Sequence, residues 1–217
     1  MSRKRSSRKP SVTRSAVRSA RRRGPALIAR PAFGSRLSDQ PAKLIFDAPE
    51  RWHEPAERKS PRVIVSDPGA NFLHAVTPAE VRARLRQLPT AYQGFVDVVQ
   101  LSPMTRKRQL FPCYGLQWGT SVYLYPIESS LVETFIQPPR PQQRIEAEMF
   151  GGEWGHRRGQ WTLTWTLDSL RDFYLNNILI HEVAHAIDQR NTRPVDRERF
   201  ANWFAIEYGY RWSRGRR

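Results

Sequence analysis

From Gln160 to Thr166 apolar and polar residues alternate strictly. Trp161, Leu163 and Trp165 fall on one side and Thr162, Thr164 and Thr166 on the other, the period-two pattern of a half-buried strand. The period then changes. Leu175, Leu179, Val183 and Ile187 recur every four residues with Ile180 and Ala184 beside them, which predicts a helix of about five turns with one strongly apolar side. Asp168 is placed to cap it, with Ser169 and Asp172 as a capping-box-like pair. The stretch Asn191 to Val195 breaks the pattern, and Pro194 marks a new start. A second helix is expected from Asp196 to Tyr208, stopping before Gly209.

Upstream, Thr77 followed by Pro78 and Glu80 reads as a capped helix start, with Val81, Leu85 and Leu88 as the buried stripe and Pro89 as the stop. Short strands are predicted at Arg62–Val65, at Phe95–Leu101, within Tyr114–Tyr125 and at Arg144–Phe150, the last followed by a Gly151-Gly152 turn. The order of helix, several strands, helix, helix predicts an α+β domain over residues 62–210. It would be built on a small mixed sheet with an active-site helix and a following C-terminal helix.

The chain has 217 residues and a formal net charge of +16, which invites a nucleic-acid reading until its position is considered. Of the 36 Lys and Arg, 12 fall in residues 1–36 and four in residues 211–217, so residues 37–210 carry 20 against all 20 Asp and Glu. The expected picture is a neutral domain with a disordered basic tail at 1–24, a Pro-rich irregular arm over 25–61 and a basic C-terminal tail at 211–217. A single Cys113 offers neither an intrachain disulfide nor a thiolate metal cage. No apolar run reaches the 18 residues or so of a membrane span. A cytoplasmic protein is expected, the alternative being an organellar one whose Arg- and Ser-rich start is a transit peptide.

Chemistry concentrates at His181-Glu182-Val183-Ala184-His185. On a helix, residues four apart project from the same face, so His181 and His185 can hold one Zn²⁺ through two neutral imidazole nitrogens. Glu182 is offset from that coordination but placed to take a proton from a zinc-activated water, as the general base of a hydrolase. The pair also lies off the Leu175-Leu179-Val183-Ile187 stripe, so one side of the helix packs and the other reacts. A catalytic site needs a third protein ligand, and the downstream acids are Asp188, Asp196, Glu198 and Glu207. Asp188 suits an outer partner of His185 or a solvated helix-end acid, and Asp196 a helix cap. If the second helix folds back beside the first, Glu198 approaches the histidines with Asn202 one turn below it, and Glu207 is the runner-up.

The stretch H-E-V-A-H at 181–185 followed by E-R-F-A-N-W-F-A at 198–205 resembles the pattern of the ImmA/IrrE-like metallopeptidases, over about residues 168–208. The resemblance implies a minimal zincin-like fold and a gluzincin site that hydrolyses peptide bonds, with His181, His185 and Glu198 as zinc ligands and Glu182 as base. The chain departs from that family in a shorter interval between His185 and Glu198, and in Phe200 where a second acid is usual. Tyr208, Tyr210 and His156 are candidate stabilisers of a tetrahedral oxyanion. Arg144–Phe150 or Ser121–Tyr125 is expected to be the sheet edge that pairs with an extended protein or peptide substrate. The basic tails are candidates for nucleic acid or another polyanion. A rival reading is therefore a non-enzymatic nucleic-acid-binding or assembly protein whose zincin-like domain is structural.

Overall fold

A computed structural model describes residues 48–55 and 60–215 of the chain. The basic segment 1–24, most of the Pro-rich arm and Arg216–Arg217 lie outside the described residues. The fold is α+β. Its main sheet has four strands: β1 (Arg62–Val65), β3 (Val98–Leu101), β4 (Gly115–Trp118) and β5 (Ser121–Leu124). Their order is β1-β3-β5-β4, with β1, β3 and β5 parallel and β4 antiparallel to β5. The parallel strands β3 and β5 are buried along their whole length, as strands covered on both faces must be. Val99, Leu101, Val122 and Leu124 belong to the core cluster shared with the helices.

Residues 48–55 lie over the other face. There the Tyr123 hydroxyl donates to the Arg51 carbonyl at 2.8 Å, His53 Nε2 meets Gln100 Oε1 at 2.6 Å, and buried Arg108 bonds Glu50 at 2.9 Å. Arg108 belongs to the short helix α2 (Arg106–Leu110). A two-residue pairing of β2 (Phe72–Leu73) with β6 (Ile127–Glu128) and an antiparallel sheet of β7 (Val132–Phe135), β9 (Gln160–Thr164) and β8 (Glu153–Arg157) complete the strands. In β9 the alternation holds, with Leu163 and nearby Trp165 buried.

Two strand expectations are corrected. Arg144–Phe150 is not a strand but the larger part of α3 (Pro141–Met149). Pro141 supplies the first helical position, and Gln143 Oε1 accepts the Arg140 backbone N–H at 2.6 Å. Burial at Gln143, Ala147 and Phe150, with Ile145 exposed, follows helical spacing rather than alternation. Ser121–Tyr125 does form a strand, β5, but a central one; the edge beside it is β4.

α1 (Pro78–Arg86) starts as expected, with both halves of the Thr77–Glu80 capping box formed. The long helix begins two residues earlier than Asp168 suggests. Extended Thr166 caps α4 (Leu167–Phe173) by accepting the Ser169 N–H at 3.1 Å, and Asp168 instead pairs with Arg171. α4 runs into α5 (Leu179–Ile187) through a wider π-helical turn, Tyr174–Ile178, in which the Leu179 N–H reaches the Tyr174 carbonyl. Leu179 to Ala184 are all buried, so α5 is a central helix rather than a half-solvated one.

α6 (Pro194–Phe204) begins at Pro194 and does not stop at Gly209. It continues as a π-helical segment, Ala205–Arg211, so Arg211 belongs to a helix rather than a tail. Gly209 serves close approach instead of termination. A Cβ at that position would lie 1.9 Å from the Asn176 carbonyl oxygen, where the two π-helical segments cross. Backbone cannot yield as a flexible side chain does. Gly209→Ala is therefore expected to destabilise the fold at or above the upper end of about 1–3 kcal/mol. Urea unfolding measures this, and an unchanged midpoint would contradict the close crossing.

Candidate metal centre

The turn between α5 and α6 is what delivers the third donor. Asp188 ends α5 and is buried, and its carboxylate accepts the backbone N–H groups of Arg190 and Asn191 and the Asn191 side-chain amide at 3.0–3.3 Å. Although burial works against its charged form, those bonds hold its carboxyl below the usual range. Asp188 thus anchors the turn, and its hydrogen bonds go to Arg190 and Asn191. Arg197 donates to the His185 carbonyl at 2.9 Å, satisfying an end group of α5 and pinning the first turn of α6 alongside. Ala201 and Phe204 are fully buried in that helix. Glu198, next to Arg197, then faces the histidines.

The result is a tight cluster. His181 Nε2 and His185 Nε2 stand 3.1 Å apart, and the Glu198 oxygens lie 3.5 Å from His181 Nε2 and 3.4 Å from His185 Nε2. Two donors on one tetrahedral zinc at about 2.0–2.1 Å stand about 3.3–3.4 Å apart, so the three spacings fit a shared ion. Among the described residues, this is the group of three such side chains close enough to hold a metal. Glu198 Oε2 is buried without a hydrogen-bond partner, which a cation would supply. The other candidate ligands are elsewhere: Asp196 pairs with Arg193 and Arg199, and Glu207 with Arg211.

Glu182 points into the same region from the turn of helix that carries His181. A Cβ on Gly115 would lie 2.7 Å from Glu182 Cγ, so edge strand β4 accommodates this carboxylate only because residue 115 has no side chain. Burial pushes the Glu182 carboxyl up from its usual value; Glu198 adds to that, while both histidines and the Gln117 backbone N–H oppose it. Burial likewise pushes Glu198 up, but the facing histidines outweigh it and hold its carboxyl at about 2. Burial alone would lower His181, yet Glu198, Glu182 and Glu146 overcome it and the ring holds its proton more tightly than usual.

Glu146 is the residue sequence reasoning missed. It lines the cavity of about 20 Å³ that also touches His181, Glu182, Asn177 and Asn202, room for a water-sized ligand. Reading 144–150 as a strand hid it. Helical spacing from Pro141 would have put Glu146 and Gln142 on one face, though only the tertiary fold brings them to the histidines. Asn202 does sit at the cavity, one turn beyond Glu198. The candidate oxyanion stabilisers do not line it. Tyr208 packs on Phe204 and Tyr92, and exposed His156 stacks on Trp161. Tyr210 lines a neighbouring hollow.

No protein-family model, curated protein or solved structure matches the chain. Among the described residues no helix is long and apolar enough to cross a membrane.

Removing Glu198 should weaken zinc binding by more than the roughly 10–100-fold typical of losing an outer partner, whereas Glu207→Gln should leave it unchanged. Equal affinity of Glu198→Ala and wild type in a chelator competition would contradict the cluster. Titration supplies a second expectation. With its folded pKa above about 6.5, His181 stabilises metal-free protein below that pH and loses the contribution as pH rises through the folded value. Raised Glu182 and Glu146 act in the same direction from about pH 4.5 upward. EDTA-treated protein should therefore melt at lower temperature as pH goes from about 5 to about 8, while zinc affinity climbs by up to about tenfold per unit as His181 gives up its proton. A metal-free melting temperature that rises steadily over that interval would contradict the assignment.

Proposed function

We propose that this chain is a zinc-dependent metallopeptidase with a zincin-like fold and a gluzincin site, as its resemblance to the ImmA/IrrE-like enzymes implies. The observation that carries the reading is the convergence of His181, His185 and Glu198 on one small volume, with the buried Glu182 carboxylate beside them. Three protein donors leave a fourth tetrahedral position for reaction, the arrangement of catalytic rather than structural zinc. Zinc held there supplies Lewis-acid polarisation of a carbonyl and makes water a nucleophile near neutral pH.

The chain's own groups account for the rest. Glu182, with its proton affinity raised by burial, takes the proton released by the attacking water and passes it to the leaving nitrogen. Asn177 and Asn202 line the cavity, and in this reading their side-chain amides donate to the charge that develops on the carbonyl oxygen. β4 is the edge of its sheet and packs on α5. An extended peptide pairing with that edge would run past Gly115 toward the histidines. A single cysteine, Cys113, suits a reducing compartment such as the cytoplasm.

Glu182→Gln keeps the side chain's shape and removes its basicity. It should retain one zinc per chain and lower peptide hydrolysis by about 10²–10⁴-fold. Undiminished turnover in that variant would overturn the mechanism.

A further inference from the structure

Beside the metal cavity lies a larger hollow of about 330 Å³, at the lower end of the range ligand pockets occupy. Its walls are apolar: Ile145, Met149 and Phe150 from the α3 side, Ala205, Ile206 and Tyr210 from the C-terminal helix. Glu146, Asn177 and Asn202 line both hollows, so the two adjoin across a polar boundary. Glu146, bonded by the Gln142 side chain at 2.9 Å, is the one charged residue lining the larger hollow among the described residues. Ile145 and Ile206 are 57% and 42% exposed, leaving apolar surface there for an incoming group to cover.

Geometry selects the occupant. A peptide whose scissile carbonyl sits at the histidine cluster carries its neighbouring side chain on an adjacent Cα, within reach of only what adjoins that cavity. What adjoins it is an apolar hollow of side-chain dimensions. We infer that this hollow receives a large aliphatic or aromatic side chain of the residue next to the scissile bond, and so sets the cleavage preference. The inference rests on the peptidase reading above and names the substrate class of that site.

The test uses full-length zinc-loaded protein and labelled hexapeptides that differ at one position, with products mapped by mass spectrometry. Cleavage beside Phe or Leu should exceed cleavage beside Ser or Gly by at least about tenfold in kcat/KM, since single methylenes in an apolar pocket are already worth about 10–200-fold. In the double variant Ile145→Asp, Ile206→Asp, both at exposed positions, that ratio should fall to about one with zinc content unchanged. Binding of the same peptides to zinc-loaded Glu182→Gln reads the hollow without hydrolysis, and the Phe peptide should bind about tenfold tighter than the Ser peptide. Hydrolysis without apolar preference, or a preference that survives the double variant, overturns the inference and leaves the peptidase reading standing. Selective binding of the Phe peptide, lost in the double variant, by protein that hydrolyses nothing supports the hollow and overturns the peptidase reading alone. Neither binding nor hydrolysis overturns both.

Discussion

Glu146, Glu182 and His181 line one small cavity, with His185 and Glu198 within 3.5 Å of His181, and the mutual charge of these five side chains governs the site. Glu182 and His181 are each 7% exposed, and Glu146 and Glu198 are part-buried beside them. No Lys or Arg is among the described residues that line the cavity. An uncompensated charge in such surroundings costs on the order of 3–5 kcal/mol. Without a metal His181 supplies compensation by holding its proton more tightly than usual, while the imidazoles facing Glu198 hold that carboxyl low. A divalent cation offsets the same charge while leaving the imidazoles neutral, and neutral imidazole is the form that ligates.

Much of the surrounding structure positions this group. The π-helical turn before α5 places one wide turn ahead of His181, a feature that recurs near functional sites. Buried Arg84 of α1 donates to the Asn176 side chain at 2.6 Å and to the Tyr208 carbonyl, fastening α1 to both π-helical segments. Gly209 lets those segments touch, and Asp188 with Arg197 sets the turn that returns α6. On the other side, Gly115 lets an edge strand come against Glu182. Most of these contacts fix where helices and strands lie, so the donors are oriented by the scaffold rather than by side-chain freedom.

The legible parts of the sequence were those where local chemistry and tertiary demand agree. The Thr77–Glu80 capping box, the alternation through Leu163 and Trp165 and the apolar helix bearing His181 and His185 all express one local rule with nothing opposing it. Glu198 was legible for a related reason, because a short interval after Ile187 leaves α6 little choice but to fold back. Arg144–Phe150 was not legible as a helix, since short apolar runs carry both periods and Pro141 upstream was the deciding signal. Asp168 lost the cap to Thr166 because the strand delivers Thr166 already extended. Gly209 looked like a stop, but its role lies in a contact with Asn176 that no local pattern encodes. Glu146 and the apolar hollow likewise exist only once α3 and the C-terminal helix meet.

His181, His185 and Glu198 are proposed to grip one ion. Zinc-edge X-ray absorption on full-length protein, with elemental analysis of the same sample, tests it most directly. One zinc per chain, bound by two imidazole nitrogens and carboxylate oxygen at about 2.0–2.2 Å with no sulfur scatterer, is the predicted result. Substoichiometric metal, or a first shell containing sulfur or lacking imidazole, would contradict it.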